Sequence, residues 1–523
     1  MSRFSDDAAA HERADGGLHL LEWARRRLPG SPPEGNAVRD LLDGKNDAEI
    51  AARRGLPGAA IRGLRTFYDD LGHETEVCDG TACHFAGGAQ LAERLRGAGS
   101  VRTVRCLGHC FAAPSFRRGD SVFIRPPAQP IAEWLNAVGA SPPPPAEPVA
   151  IPRIAMADPP VVLRNLAGSR SCPPLDEYKL PDGDTILSAL EHTRLRGRGG
   201  AAFPTAAKWR AARDAPGVER YVVANGDEGD PGSYVDRLLL EEDPHAVLAG
   251  MLACARVIGA RHGVVYIRSE YPRAQRVMRA AIREARDGAL LGDEFNVEVV
   301  SGGGSYVCGE ETALLNSIQG LRGEPRARPP YPAQRGLWGR PTVVQNVETL
   351  AIVPWITRTR QGSGTKAMSL SGAVARPTIV EVRLGTPLSR VLEEAGQGPP
   401  AGRRWKMALV GGPMGRVVPA SRFDIPLSFD SLPGMGHAGI VVLDDSVSPR
   451  ALAEHLFAFA AVESCGSCTP CRVGTSLLAG IRERAVMERL LSTLEMGSLC
   501  GFGAGVPRPI RDLLEHFGGE VLE

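Results

Sequence analysis

The eleven cysteines of the 523-residue chain are unevenly spread, and eight of them fall in two tight groups. The C-terminal group is Cys465, Cys468 and Cys471 in ESCGSCTPCRVG, followed by Cys500 in SLCGFG. Three thiols at C-x2-C-x2-C converge on one centre, and a distant fourth completes the four thiolates that a 4Fe–4S cubane requires. Tetrahedral zinc also takes four thiolates, usually as two separated C-x2-C knuckles. The N-terminal group is Cys78-x4-Cys83 and Cys106-x3-Cys110. Two pairs on two loops suit a 2Fe–2S cluster, with each pair holding one iron; zinc or a vestigial domain are the alternatives. Cys254 and Cys308 read as packing residues, and Cys172 carries no assignment.

Four loops between the cysteine groups carry further candidate chemistry. RGRGGAAFPTAAKW combines Gly197, Gly199 and Gly200 with Arg196, Arg198 and Lys208. Glycines let backbone amides approach a phosphate and the cations neutralise it, although such loops are also common without a ligand. NGDEGDPGS places Asn225, Asp227, Glu228 and Asp230 after an apolar run, either to accept bonds from ribose hydroxyls or a ring N–H, or as a solvated turn. GGGSYVCGEETALL sets Glu310 and Glu311 at a helix start, where acids complement the dipole or face a bound cofactor. PTVVQNVETL offers Gln345, Asn346 and Thr349, polar groups able to hold a ring's carbonyls and nitrogens.

These loops need elements to position them. Leu18, Leu20, Leu21, Trp23 and Ala24 form a helix-like stripe, and helices are expected over Asp47 to Arg53 and after Pro57. Strands at Glu76 to Cys78, Val101 to Cys106 and Ser121 to Ile124, with helices at Gly87 to Leu95 and Ile131 to Val138, make a small α/β unit over residues 1–140. The proline-rich run 141–152 is the clearest spacer, and 141–178 reads as a linker. Over 179–360, strands at Tyr221 to Ala224, Gly263 to Ile267 and Phe295 to Val300 alternate with helices at Asp184 to His192, His245 to Ile258 and Pro272 to Arg286. That alternation predicts an α/β domain with a largely parallel sheet. Residues 361–440 read as a small α+β module and 441–523 as helical around the last cysteines.

Three or four domains are expected for this length. The net charge of +1 gives no electrostatic case for nucleic acid or an anionic membrane. The N-terminus has no apolar core of a secretory signal, and no apolar run reaches the ~18 residues of a membrane span, so a cytoplasmic protein without direct membrane insertion is expected. Grouped cysteines in such a protein point to metal rather than disulfides.

Residues 180–523 resemble the flavin-bearing NADH-oxidising subunit of complex I and related soluble dehydrogenases. GRGGAAFPTAAKW, NGDEGDPGSYVDR, YVCGEETAL, PPYPAQRGLWGRPTVVQNVET, ESCGSCTPCRVG and SLCGFG occur in that family's order. Residues 1–140 resemble the thioredoxin-like 2Fe–2S subunit that accompanies it. The fusion is similar to the diaphorase subunits of soluble NAD-dependent formate dehydrogenases and NAD-reducing nickel–iron hydrogenases. The resemblance implies a thioredoxin-like ferredoxin domain, an FMN-binding α/β domain, a ubiquitin-like insert and a helical 4Fe–4S bundle. It implies FMN against Gly197, Arg198, Gly199, Lys208, Asn225, Asp227, Gly309, Glu310, Asn346 and Thr349, with Gln345 a further cofactor-binding candidate. It implies NAD(H) near Phe203, Glu228, Asp230, Glu311, Arg328 and Tyr331, with aromatics stacking on adenine. No protein acid or base is expected at the transfer step; these residues position the reactants.

Some positions depart from the complex I pattern. Ala202 stands where glycine is usual, Gly229 and Asp230 replace larger residues, and Gln345, Arg328 and Tyr331 replace asparagine, lysine and phenylalanine. The GDEG form of the acidic loop leans towards the soluble relatives. The implied partner is a catalytic subunit with a formate site (molybdenum or tungsten), or alternatively a hydrogen site (nickel–iron), and further clusters. No cysteine follows Cys500, unlike electron-bifurcating hydrogenase relatives. A zinc-stabilised scaffold is the rival from another class; it accounts for the cysteines but not for the ordered loops.

Overall fold

The computed structural model describes residues 36–68, 75–97, 99–126, 129–140, 150–166 and 172–522. The stripe from Leu18 to Ala24 lies outside the described residues. Helices Ala37–Leu42 and Asp47–Arg54 begin at Asn36 and Asn46, whose side chains accept the backbone N–H three positions on, and Gly58–Arg65 follows Pro57.

A four-stranded sheet comes next, built from β1 (Thr75–Cys78), β2 (Val101–Val104), β3 (Ser115–Arg118) and β4 (Ser121–Ile124) in the order β2-β1-β3-β4. β1 and β2 are parallel, while β3 is antiparallel to both β1 and β4. Helices Gly88–Arg96 and Ile131–Ala140 bury Leu91, Leu95, Trp134 and Leu135 against Val77, Phe116 and Phe123. β3 escapes the periodicity reading because the strand is short and ends in two arginines. Arg117 is buried in an ion pair with Glu76 of β1.

The 141–178 linker reading needs correction over residues 150–166. β5 (Arg153–Ala155) adds a parallel edge to a later sheet, and Val161, Val162 and Leu163 donate their backbone N–H groups to the buried Glu381 carboxylate at 2.8–2.9 Å. The prolines stop helix formation but not docking, because the apolar Val-Val-Leu run finds a core.

The central domain holds β6 (Tyr221–Gly226), β7 (His262–Ile267), β8 (Asn296–Ser301) and β9 (Thr342–Asn346), all parallel, in the order β8-β7-β6-β9. Alternate residues feed opposite cores, as expected for a sheet covered on both faces. Val222, Ala224, Val265, Ile267 and Val343 face helices Pro244–Ile258 and Val347–Thr359. Those helices touch closely because Gly250 has no side chain: a Cβ there would lie 2.1 Å from the Leu350 carbonyl oxygen. Val223, Val264, Tyr266 and Val344 face Leu314, Leu315 and the N-terminal residues Ile61, Leu64 and Tyr68. The helices of residues 36–68 therefore form part of the second layer of the central domain.

The next sheet contains β10 (Thr365–Gly372), β11 (Thr378–Arg383), β12 (Trp405–Val410), β13 (Arg416–Pro419) and β14 (Gly439–Asp444), in the order β13-β12-β14-β10-β11-β5. It extends past 440, since β14 is its central strand. A fully buried ion pair, Lys366 of β10 with Glu348, joins this module to the central domain. The chain ends in helices Pro449–Glu463, Thr469–Leu477, Arg484–Gly497, Gly501–Gly505 and Pro507–Leu522. Among the described residues no helix is long and apolar enough to cross a membrane.

Candidate functional site

Because β6 to β9 are parallel, their C-terminal ends lie on one edge, where open α/β sheets gather ligands. The end of β6 carries Asn225 and opens the acidic loop; β8 leads into the glycine turn before Glu310; β9 ends at Asn346. The glycine-rich loop folds back on itself through Gly197 N–H to the Phe203 carbonyl, 2.8 Å, and Thr205 N–H to the Leu195 carbonyl, 2.9 Å. It is anchored by Arg198 N–H donating to Thr349 Oγ1 at 2.8 Å. Gly199 sits where a Cβ would come within 2.9 Å of the Asn346 side chain. Ala202 adopts φ +50°, in the left-handed region that glycine enters without strain, which accords with the glycine that the resemblance leads one to expect here.

Asn346 caps the Val347–Thr359 helix, accepting from Thr349 N–H at 3.1 Å, and donates to Asp236 at 2.7 Å. Asn225 donates to the Gly309 carbonyl at 3.0 Å, which joins the acidic loop to the glycine turn. Glu310 is the N-cap of helix Glu311–Ile318, accepting from Thr312 and Ala313 N–H at 2.9 Å, so the capping reading of this residue holds. It also pairs with Arg328, and Lys208 pairs with Glu311 while donating to the Val344 carbonyl at 3.0 Å. Gln345 accepts the Trp209 indole N–H at 3.2 Å. Phe203 and Tyr331 are large aromatics left exposed, at 52% and 54%.

Two acids differ from simple turn residues. Glu228 is buried, and its carboxylate accepts Ser233 Oγ–H and the N–H groups of Val235, Asp236 and Arg237 at 2.7–3.1 Å. It serves the start of helix Val235–Glu242 rather than pointing into the cleft as expected for a dinucleotide contact. Burial pushes it up to about 6, against the pull of those donors. Asp230 is also pushed up to about 6 by burial, while the Tyr306 hydroxyl donates to it at 2.5 Å and draws it down. Tyr306 was not legible as a site residue. It links Asp230 to the rings of Phe459 (5.1 Å) and Phe502 (5.6 Å), beside Cys471. An aromatic between a glycine triplet and two acids was the available signal. Arg268, one residue beyond β7, was also missed. It is buried and donates to the Glu228 carbonyl at 2.5 Å and the Cys106 carbonyl at 3.0 Å.

These residues fit a phosphorylated planar cofactor. Arg198, in the glycine-rich loop, is a buried guanidinium whose Nη2 donates to Ser363 Oγ at 2.7 Å while its Nε lacks an acceptor. A buried donor without a partner is costly, and a phosphate oxygen reaching it would satisfy it.

The C-terminal thiols come together. Burial, and then the neighbouring thiols of Cys468, Cys500 and Cys465, push Cys471 up to about 12. Leu499 N–H donates to Cys468 Sγ at 3.5 Å, and the Ser464 hydroxyl lies 3.3 Å from Cys471 Sγ. The N-terminal four are all buried free thiols, with Cys106 and Cys110 Sγ 3.6 Å apart, Gly108 N–H donating to Cys106 Sγ at 3.3 Å, and Cys78 in contact with Cys83 and Cys106. Both sets fit a four-thiolate group. Cys254 is buried packing; Cys308 is buried in the second-layer core; Cys172 contacts Asp243 Oδ1 at 3.2 Å.

Comparison with known proteins agrees with this geometry. Residues 190–355 match the family model of the Nuo51 FMN-binding domain, 369–418 the SLBB domain, and 451–523 the NADH-ubiquinone oxidoreductase-F iron-sulfur binding region. The chain is 39% identical over 373 residues to the F 2 subunit of the NADH-quinone oxidoreductase of Rhizobium meliloti (strain 1021), covering 65% of this chain and 88% of that one. It is 38% identical over 367 residues to the HndC subunit of the NADP-reducing hydrogenase of Solidesulfovibrio fructosivorans, covering 64% and 75%. Its fold superimposes on a chain of the NAD+-reducing [NiFe]-hydrogenase in the H2-reduced state with a TM-score of 0.81 at 33% identity, covering 96% of this chain and 91% of that one. The chain belongs to the Nuo51 family of complex I-type NADH-quinone oxidoreductases and is, like its members, an NADH-oxidising flavin and 4Fe–4S subunit.

Proposed function

We propose that this chain is the diaphorase subunit of a cytoplasmic multi-subunit enzyme, exchanging electrons between NAD(H) and a partner's iron–sulfur clusters. The observation that carries the reading is the meeting of three loops at one sheet edge beside the four C-terminal cysteines. Bound FMN would take two electrons from NADH and release them singly. The glycine-rich loop, with Gly197, Arg198, Gly199 and Lys208, would hold the cofactor phosphate. Asn225, Asp227, Gly309, Glu310, Gln345, Asn346 and Thr349 would orient its ring and ribityl chain. Phe203 and Tyr331 would clasp the adenine of the dinucleotide, with Glu311, Asp230 and Arg328 nearby. Cys465, Cys468, Cys471 and Cys500 would ligate the 4Fe–4S cluster.

Cys78, Cys83, Cys106 and Cys110 would ligate a 2Fe–2S cluster. The mixed sheet with flanking helices supports a thioredoxin-like reading of that unit. Val462, Val473, Leu477, Met496 and Leu499, which are near the C-terminal cysteines in sequence, are all exposed, and this run of exposed apolar side chains supports partner docking by the C-terminal helices.

The partner proposed is a formate-oxidising subunit carrying molybdenum or tungsten. The fold match to a chain of a NAD+-reducing [NiFe]-hydrogenase favours a hydrogen-oxidising nickel–iron partner as the second reading. Purification of the intact complex, followed by metal analysis and assay of NAD+ reduction by formate and by hydrogen, separates the two. Activity with neither donor, and neither metal set in the complex, contradicts both.

A further inference from the structure

The two cysteine groups are hundreds of residues apart in sequence, yet one polar seam joins them. Arg105 directly precedes Cys106, and its Nη1 donates to Asp79, the residue after Cys78, at 2.9 Å. Its Nε lies 3.7 Å from Glu463, two residues before Cys465, with side-chain exposures of only 16% and 6%. Glu463 also accepts the backbone N–H of Tyr306 at 3.1 Å. A second contact runs parallel to the first. His84, beside Cys83, bonds Asp79 at 2.8 Å and packs its ring 4.3 Å from His455, which lies on the same helix as Glu463 and contacts Thr81 Oγ1 at 3.2 Å. The seam is tight: a Cβ on Gly80 would come within 2.3 Å of the Arg105 carbonyl oxygen.

We propose that Arg105 and Glu463 form an electrostatic bracket between the two cluster sites, so that the charge beside one site is felt at the other. The proposal rests on reading both cysteine groups as iron–sulfur sites. Reduction adds negative charge to a cluster, so a nearby cation raises its potential and a nearby anion lowers it. The pair is largely desolvated, which preserves such effects that water would screen at a surface. Arg105 and Glu463 act here as positioning residues, through their charge.

The test is a redox titration of the full chain, followed by EPR so that each cluster is read by its own signal. Arg105→Gln is expected to lower the potentials of both clusters, and Glu463→Gln to raise both. The double variant should return towards wild type. Arg105→Lys keeps the charge and should hold both potentials near wild type. Shifts confined to the adjacent cluster, or a lysine variant that behaves like the glutamine one, would overturn the bracket. Should the Arg105→Gln chain not accumulate, Glu463→Gln carries the same cross-shift test from the other side. A wild-type chain with only the 4Fe–4S signal, despite iron reconstitution, would instead sink the reading of the N-terminal site, and the bracket with it.

Discussion

Asp230 sits where the acidic loop meets Tyr306, and its burial sets the sign of its pH response. The folded carboxyl is raised to about 6 from an ordinary value of 3.8. The folded chain therefore binds the proton more tightly than the unfolded one. Its contribution to stability is present below pH ~4 and lost as pH rises to ~6. Asp230→Asn should thus raise the melting temperature relative to wild type more at pH 7.5 than at pH 4.5, and an equal offset at both would contradict this. Tyr331 is exposed and free to stack on a ligand; Tyr331→Ala is expected to raise the KM for NADH by about three- to tenfold, the worth of one aromatic contact. A steady-state comparison with wild type checks it. The two cysteine groups were legible as groups because most of their members are local in sequence. Tyr306 and Arg268 were not, because their roles come from partners far along the chain, Asp230 for the first and Cys106 for the second.

At the scale of elements, the parallel strands, their connecting helices and the final helical region were largely legible, because buried parallel strands read as apolar runs. Helix Val235–Glu242 was hidden: Asp236, Arg237 and Glu241 are buried along with its leucines, so no polar face marks the period. Helix Thr205–Asp214 was absorbed into the glycine-loop motif that precedes it. β9 was read only as a polar motif, yet its last residue, Asn346, caps a helix and bonds Asp236. Asn346→Ala removes the cap and leaves buried Asp236 short of a donor, so a loss of about 2–4 kcal/mol is expected. Thermal unfolding measures it, with loss of flavin retention as a second readout, since Asn346 also backs Gly199.

At the scale of the molecule, the sequence suggested a modular chain with a stiff spacer, whereas the structure shows shared layers. Residues 36–68 cover one face of the central sheet, and residues 150–166 dock on Glu381. The sequence could not reveal this, since which apolar face covers which sheet depends on contacts between distant segments. Removing residues 1–149 should therefore leave Val223, Val264 and Tyr266 covered only in part, by Leu314 and Leu315, and yield an aggregating chain; a soluble, flavin-retaining product would contradict the shared-layer account. Lys366→Met should strand the buried Glu348 and cost about 3–5 kcal/mol, much more than a paired Lys366→Met/Glu348→Gln change, by thermal unfolding. The central claim is that one chain joins an NADH site to a flavin and iron–sulfur clusters. Its most direct test is an anaerobic visible spectrum of the purified chain before and after NADH. The account predicts a flavin band and broad brown absorption that both bleach, with about six irons per chain if both cysteine groups are loaded. A colourless, zinc-containing protein unchanged by NADH after anaerobic reconstitution would contradict it.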